Sequence, residues 1–412
     1  MSMSLSGCGM AGGSDGEEEV VLKMIAADYG KPGTKTSSKY YWDDLAEEFA
    51  NNNPGLSVDI KVLDWKDVDA EVKKLVDAGT PPDLAQIGAY ADYADQGELY
   101  TLDEVLSIPT QSNFVASLAE AGEVKRTPYG LPFVSSSRLL FYNKRLFLDA
   151  GLSADKGPQS WEDIAHDAQV LKANGVKTPF GLPLGPEEAQ GEALLWMLGN
   201  GGGYTDEVGG YNLDSPENIE TFKWIQQNLT GQGLSTKNPR ATNRQQVFDE
   251  FLKGDVGMFF GHPTLMRDAQ DQGIDLGIVS ALPGNGGPAA STMGVVDWMM
   301  AFKKNNHQKA IGKFLDFVFS DDKVLQFATR YDLLPTTVSG VNRLRRERED
   351  LVPFLTQLES AVFYPAEKTS WAAVAASIKE KIGKAATSGG DPEEILGDLQ
   401  AEAQKASQLK EE

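Results

Sequence analysis

The sequence predicts an α/β fold in a chain long enough for two domains, and three observations carry that prediction. Apolar runs of strand type alternate with helical patterns from Val20 through Leu131 at the spacing of a doubly wound sheet. A chain of 412 residues with 41% hydrophobic content is long enough for two domains, each with its own core. Residues 128–147, PYGLPFVSSSRLLFYNKRLF, then place a turn, two extended apolar runs and a helix start in close succession. Between those runs stand Ser135, Ser136, Ser137 and Arg138. Such a polar break is either a Ser-rich loop or a place where the chain surfaces, at a crossing between domains or in a cleft wall.

Composition bounds the partners. A net charge of -22 disfavours nucleic acid and anionic membrane surfaces, which reward a basic face. The single cysteine, Cys8, allows no intrachain disulfide and no thiolate metal cluster. Cys8 ends Leu5-Ser6-Gly7-Cys8 and is followed by a Gly/Ser/acidic stretch. The tetrapeptide resembles the lipobox at which bacterial lipoproteins are cleaved and acylated, so residues 1–17 are expected to be a tether with Cys8 as its lipid anchor. Nothing else approaches the ~18 consecutive apolar residues of a membrane span.

Residues 20–27, VVLKMIAA, read as the first strand, ending at Asp28-Tyr29-Gly30. Ligands of open α/β sheets collect beyond the carboxyl ends of strands, which is where Asp28 and Tyr29 fall. Trp42, Leu45 and Phe49 recur at helical spacing, with Asp43 and Asp44 suited to the first turn. Asn53-Pro54-Gly55 breaks the chain before the alternating run 56–62. Trp65 follows, then one helical face through Val68, Val72, Leu75 and Val76, ending in the run AGTPPD at 78–83. Residues 84–90 form a third strand running into a loop, with Gln86 and Tyr90 as ligand candidates.

After the 128–147 stretch, Ser160 is placed to cap a helix opening with Trp161, Glu162 and Asp163. A polar loop carrying Glu188, Gln190 and Glu192 leads into an apolar helix containing Trp196, closed by Asn200-Gly201-Gly202-Gly203. That glycine run follows a helix instead of opening one, so it is not a phosphate loop. An amphipathic helix is expected at 216–229 and a short one at 247–252. Residues 254–263 read as turn, buried strand and loop, ending at His262. The run 293–302 is a strand containing Asp297-Trp298, and an ionised carboxylate there needs a partner, either internal or a ligand. Tyr331-Asp332-Leu333-Leu334-Pro335 and Phe363-Tyr364-Pro365 before Trp371 complete the pattern.

Taken together, the G-[IL]-P, Tyr-Asn-Lys, Asn-Pro-Gly, Ala-Gly-Thr-Pro-Pro-Asp and Gly-x-[AV]-[AG]-Met patterns resemble those of extracellular solute-binding proteins, the sugar receptors of ATP-driven importers, maltose and maltodextrin receptors among them. The likeness covers nearly the whole chain from Val20 on. It implies a periplasmic-binding-protein-like fold: two doubly wound α/β lobes joined by three crossings, with the ligand in the interlobe cleft. Lobe 1 is expected at 18–134 plus 288–336, lobe 2 at 135–287 plus 337–412. The crossings would fall in the 128–147 stretch, after Leu282, and at Tyr331 to Pro335, where G-x-[LI]-P is usual in the family.

The resemblance also implies contacts. Asp28 becomes a sugar-hydroxyl acceptor, a turn anchor being the alternative. Ser136 takes the sugar-facing place on the entering strand, with Arg138 beside it. Glu188, Gln190 and Glu192 supply acidic and amide contacts from the second lobe, with Trp196 on the helix they open. Asp297 and Trp298 would meet hydroxyls and a sugar face. Relatives often carry a stacking Trp after the Gly-x-[AV]-[AG]-Met strand; here His262 either replaces it or caps the loop. Trp371 stands at the aromatic platform of maltose receptors. No cofactor, metal or catalytic set is expected: three histidines are scattered, and neither a Gly-x-Ser-x-Gly elbow nor a His-Glu-x-x-His run occurs.

The expected protein is therefore a monomeric extracellular receptor, anchored through Cys8 to the outer face of the cytoplasmic membrane. It would close on a maltose-like, maltodextrin-like or acarbose-like oligosaccharide and deliver it to an ABC permease and its ATPase. A secreted carbohydrate-active enzyme, and a receptor for a polyamine or peptide, are the competing readings.

Overall fold

The computed structural model describes residues 19–411, apart from 31–32 and 88–89; the predicted tether and Cys8 lie outside the described residues. Two sheets organise the chain. The first has six strands in the order Leu334–Pro335, Leu131–Ser137, Gly294–Ala301, Leu84–Ile87, Val20–Ala27, Leu56–Leu63. The second has four, in the order Leu276–Ile278, Leu139–Asn143, Val256–Gly261, Thr178–Gly181.

Alternation along Val20–Ala27 explains the double winding. Leu22, Met24 and Ala26 pack with Trp42, Leu45 and Phe49 of helix Lys39–Asn52. Ile25 and Ala27 face the other way, against Val68 and Val72 of helix Trp65–Asp77. A strand whose successive side chains must all be buried, on opposite faces, needs a helix on each side. The second sheet repeats the device, with Leu140 and Phe260 entering one core and Phe141 and Phe259 the other.

The chain changes sheet at a single residue. Ser137 closes one strand, Leu139 opens the next, and Arg138 lies between them. The change thus comes past the 134/135 boundary read from the sequence, because the serines remain in the first sheet. Ser135, Ser136, Ser137 and Arg138 do not surface: their exposures are 2%, 6%, 0% and 5%. Buried hydroxyls require partners, and these find them locally. Ser135 donates to the Leu334 carbonyl and Ser137 to the Phe354 carbonyl, while Ser136 accepts from Arg138. The chain returns between Ile278 and Gly294 and leaves again after Leu334–Pro335, giving three crossings. Arg138 is tied to the second of them: its amide donates to Met293 O at 3.1 Å, and its carbonyl accepts from Thr292 Oγ1.

Other expectations shift slightly. The loop after Leu282 contains a small hairpin, Pro283–Gly284 with Gly287–Pro288. The helix expected to reach Leu229 is α-helical over Pro216–Ile225 and continues as a π turn, Gln226–Thr230. Ser160 caps its helix as predicted, accepting from the Asp163 amide at 3.1 Å.

A polar cleft site between the two lobes

The carboxyl ends of strands Val20–Ala27, Leu84–Ile87 and Leu131–Ser137 lie on one edge of the first sheet, with the start of the antiparallel Gly294–Ala301 beside them. Three side chains join along that edge. Gln86 Nε2 donates to the Tyr29 hydroxyl at 2.5 Å, and that hydroxyl donates to Asp297 Oδ2 at 2.7 Å. Since the Gln86 amide nitrogen is engaged with Tyr29, its Oε1 points the other way, and this buried oxygen has no hydrogen-bond partner among the described residues. Burial raises the Asp297 carboxyl to about 6, against the lowering effects of the Tyr29 bond and of Arg138. A ladder shift at Asp297/Trp298, where Trp298 pairs with Pro132, helps set these neighbours apart. Proline lacks the N–H a ladder needs and is found at such irregularities.

The facing edge belongs to the second sheet. Arg138 Nη2 donates to Glu188 Oε1 at 3.1 Å, and Arg244 Nε lies 2.8 Å from Glu188 Oε2. Arg244 Nη2 stands 3.7 Å from Glu192 Oε2, too far for a hydrogen bond. Burial pushes the Glu188 carboxyl up, but Arg244 and Arg138 outweigh it and hold it below the usual range. Glu192 has weaker compensation, and burial raises it to about 7. Among the described residues, Arg138 Nε and all three Arg244 nitrogens are buried with no aligned hydrogen bond, while the Tyr364 hydroxyl and the Gln190 side chain interact with each other.

Two aromatic pairs flank this polar core. On the first lobe Trp65, 38% exposed, meets Tyr29 edge-on at 5.3 Å. On the second, Tyr364 stacks on Trp371 with centroids 5.5 Å apart. A hollow of about 340 Å³ opens between the lobes there, lined by Asp69, Ala91 and Asp92 on one side and Gln190, Trp371 and Lys379 on the other.

The structure thus brings Tyr29, Gln86, Arg138, Glu188, Gln190, Asp297 and Trp371 to the cleft, and moves other expected residues away from it. Asp28 is an anchor: it accepts from the Gly30 amide, from Ser37 Oγ at 2.6 Å and from the Ser38 amide at 2.7 Å, fixing the loop before helix Lys39–Asn52. Burial raises its carboxyl, but these bonds overcome that and leave it below its ordinary range. Tyr90 is buried, with its hydroxyl donating to Ala121 O at 2.7 Å. Trp298 packs edge-on to Tyr90 at 5.2 Å in the same core. Trp196 has no exposed surface and sits among Trp161, Trp224, Phe180 and Phe260. Its indole donates to Glu192 Oε1 at 3.0 Å, so Glu192 is a partner for a core tryptophan as well as a neighbour of Arg244. Ser136 gives its hydroxyl to Arg138 as acceptor at 2.9 Å. His262 Nδ1 lies 2.5 Å from Thr264 Oγ1, its ring packs on Phe248, and burial with Arg138 and Arg244 nearby keeps it neutral. These corrections have one cause: each of these groups already has a protein partner or a core to fill. Arg244, Tyr364 and Trp65 are the cleft residues that sequence reasoning missed.

This two-lobed arrangement can be set beside known proteins. The family model described as bacterial extracellular solute-binding protein matches residues 33–324, well over half the chain. The chain belongs to that family. Among curated relatives, a protein of Brucella abortus (strain 2308) named as a binding protein is 26% identical over 393 residues, covering 93% of this chain and 92% of its own. Among solved structures, the GacH receptor of Streptomyces glaucescens, crystallised unliganded and with acarbose, superposes with TM-score 0.78 at 19% identity, over 95% of this chain and 99% of that one. Maltose-bound MalE3 of T. maritima gives 0.76 at 18% identity, over 93% and 99%. These likenesses establish the periplasmic-binding-protein fold for this extracellular solute-binding protein, whose family and neighbours are binding proteins and not enzymes.

Proposed function

We propose that this solute-binding protein captures an oligosaccharide of the maltose, maltodextrin or acarbose-like class, closes its lobes around it, and hands it to the permease of an ABC importer. The lobes are taken as the two sheets with their helices, close to 18–134 plus 288–336 and 135–287 plus 337–412. The chain acts as a monomer held to the outer face of the membrane by a lipid on Cys8.

One observation carries the reading: buried donors and acceptors with no aligned partner among the described residues lie near aromatic rings that are exposed or partly exposed. Gln86 Oε1 can only accept, and Arg138 Nε and the two Arg244 Nη atoms can only donate. A sugar hydroxyl satisfies both kinds, and its apolar ring face suits Trp371 and Trp65. A polyamine would leave the arginine donors unmet. Arg138 and Arg244 are already countered by Glu188 and Glu192, so these two arginines are not held in reserve for a phosphate-bearing solute. The contacts we assign are Tyr29, Gln86, Asp297 and Trp65 from lobe 1, and Arg138, Glu188, Gln190, Arg244, Tyr364 and Trp371 from lobe 2.

A thermal-shift screen with maltose, maltotriose, maltotetraose, acarbose, cellobiose, chitobiose and spermidine tests it. Ligand at a hundred times its dissociation constant adds about 2.7 kcal/mol. Stabilisation by the maltose series supports the reading; a shift with spermidine alone, or release of products from maltotetraose, defeats it.

A further inference from the structure

A second interlobe contact lies away from the polar core. Arg267 stands on helix Thr264–Asp271, which follows strand Val256–Gly261 of the four-stranded sheet. Asp332 stands just before Leu334–Pro335, the edge strand of the six-stranded sheet. Arg267 Nη2 donates to Asp332 Oδ1 at 2.7 Å and to the Thr329 carbonyl at 3.2 Å. Arg348 lies 4.0 Å from the same carboxylate oxygen but is engaged with Asp350 at 2.7 Å. Arg267 and Asp332 both line two neighbouring hollows, of about 770 Å³ and about 700 Å³. The pair therefore bridges the two lobes beside open space, with Asp332 buried and Arg267 half-exposed, where relative movement of the lobes would make or break it.

The backbone gives independent support. Asp332 has φ +52°, the left-handed region in which glycine is the unstrained choice. Aspartate tolerates this conformation better than most residues, at some cost. Its side chain must return something glycine cannot, and what it reaches is the arginine of the other lobe.

We infer that Arg267 and Asp332 form an interlobe clasp that sets the balance between closed and open receptor before any solute arrives. Arg267 is then a positioning residue: apparent affinity scales with the competent fraction, so loosening the clasp weakens every ligand by the same factor. The inference rests on the two-lobed fold and not on the identity of the sugar.

The test uses unliganded protein. With Cys8→Ser as background, spin labels at Glu47→Cys and Glu220→Cys, both exposed and on helices of opposite lobes, report interlobe distances. Arg267→Ala should lower the closed-to-open ratio about two- to fivefold, the range of a partly exposed ion pair. Asp332→Gly should give the same shift while keeping the turn and the urea midpoint, since glycine suits the backbone there. The double variant should shift no further than either single one. An unchanged distance distribution in either single variant, or additive shifts in the double, overturns the clasp. A failed sugar screen leaves this result untouched.

Discussion

Arg138 and Glu188 are joined at 3.1 Å, although one is the residue at which the chain leaves the first sheet and the other precedes helix Ala189–Leu198 of the second lobe. Glu188 also lies 2.8 Å from Arg244, so one carboxylate counters two guanidinium groups with side-chain exposures of 7% and 3%. The crossing and the second lobe's binding edge are thus held by a single side chain.

Removing that charge should be expensive. Glu188→Gln keeps the volume but removes from Arg138 and Arg244 the carboxylate that lies nearest to both. Breaking a buried ion pair from one side costs about 3–5 kcal/mol. Urea unfolding should show a clearly lowered midpoint, and a midpoint within error of wild type would show that the arginines are solvated or paired elsewhere.

Glu192 gives a pH signature. Its folded carboxyl titrates near 7, above the 4.5 it has when unfolded. A group raised on folding contributes stability that is complete below the unfolded value and is lost as pH rises through the folded one. Stability should therefore fall between about pH 5 and 8, by on the order of 3 kcal/mol from this group. Asp297, raised to about 6, acts in the same direction. In Glu192→Gln the slope of urea stability against pH should flatten; an unchanged slope would assign it to other groups.

Asp28 should behave oppositely. Its carboxylate is favoured in the folded state by Ser37 and the Ser38 and Gly30 amides. Its contribution is present above the unfolded value of 3.8 and is lost as pH falls through the lower folded one. Asp28→Ala should cost about 1–3 kcal/mol at neutral pH, the range for removing a charged hydrogen-bond acceptor. It should also leave a larger ligand-induced shift than any cleft variant. Complete loss of sugar binding with unchanged stability would return Asp28 to the site.

The strands and helices of both lobes were legible because burial on two faces leaves continuous apolar runs and burial on one face leaves a helical stripe. From the residues alone, candidates were legible where a polar group interrupts such a run, as at Gln86, Arg138 and Asp297, or follows a strand end, as at Tyr29; Glu188, Gln190 and Trp371 came from the family resemblance. Adjacent strand residues point to opposite faces, so Asp297 and Trp298 could not easily share one ligand. The helix holding Trp196 is apolar on every side, the mark of a helix buried all round. Arg244 left no trace, because an arginine opening a helix among Asn243, Gln245 and Gln246 has the composition of a solvated surface. Only the fold brings it beneath Glu188.

That distinction between filling tryptophans and platform tryptophans gives the last prediction. Trp196 is fully buried and touches three other aromatic side chains of its core besides Trp161. Trp371 is partly exposed, lines the interlobe hollow and stacks on Tyr364. Trp196→Ala opens a large cavity and should cost about 3–5 kcal/mol without ligand. Trp371→Ala forfeits less packing and should shift the unliganded melting temperature far less. With maltotriose the order reverses: the Trp371 variant should lose most of the ligand-induced shift, because the ring face that covers the sugar is gone. A folded Trp196 variant should keep it. If Trp371→Ala retains the full maltotriose shift, the platform lies elsewhere in the cleft, and Trp65, edge-on to Tyr29 on the opposite lobe, is the ring to replace next.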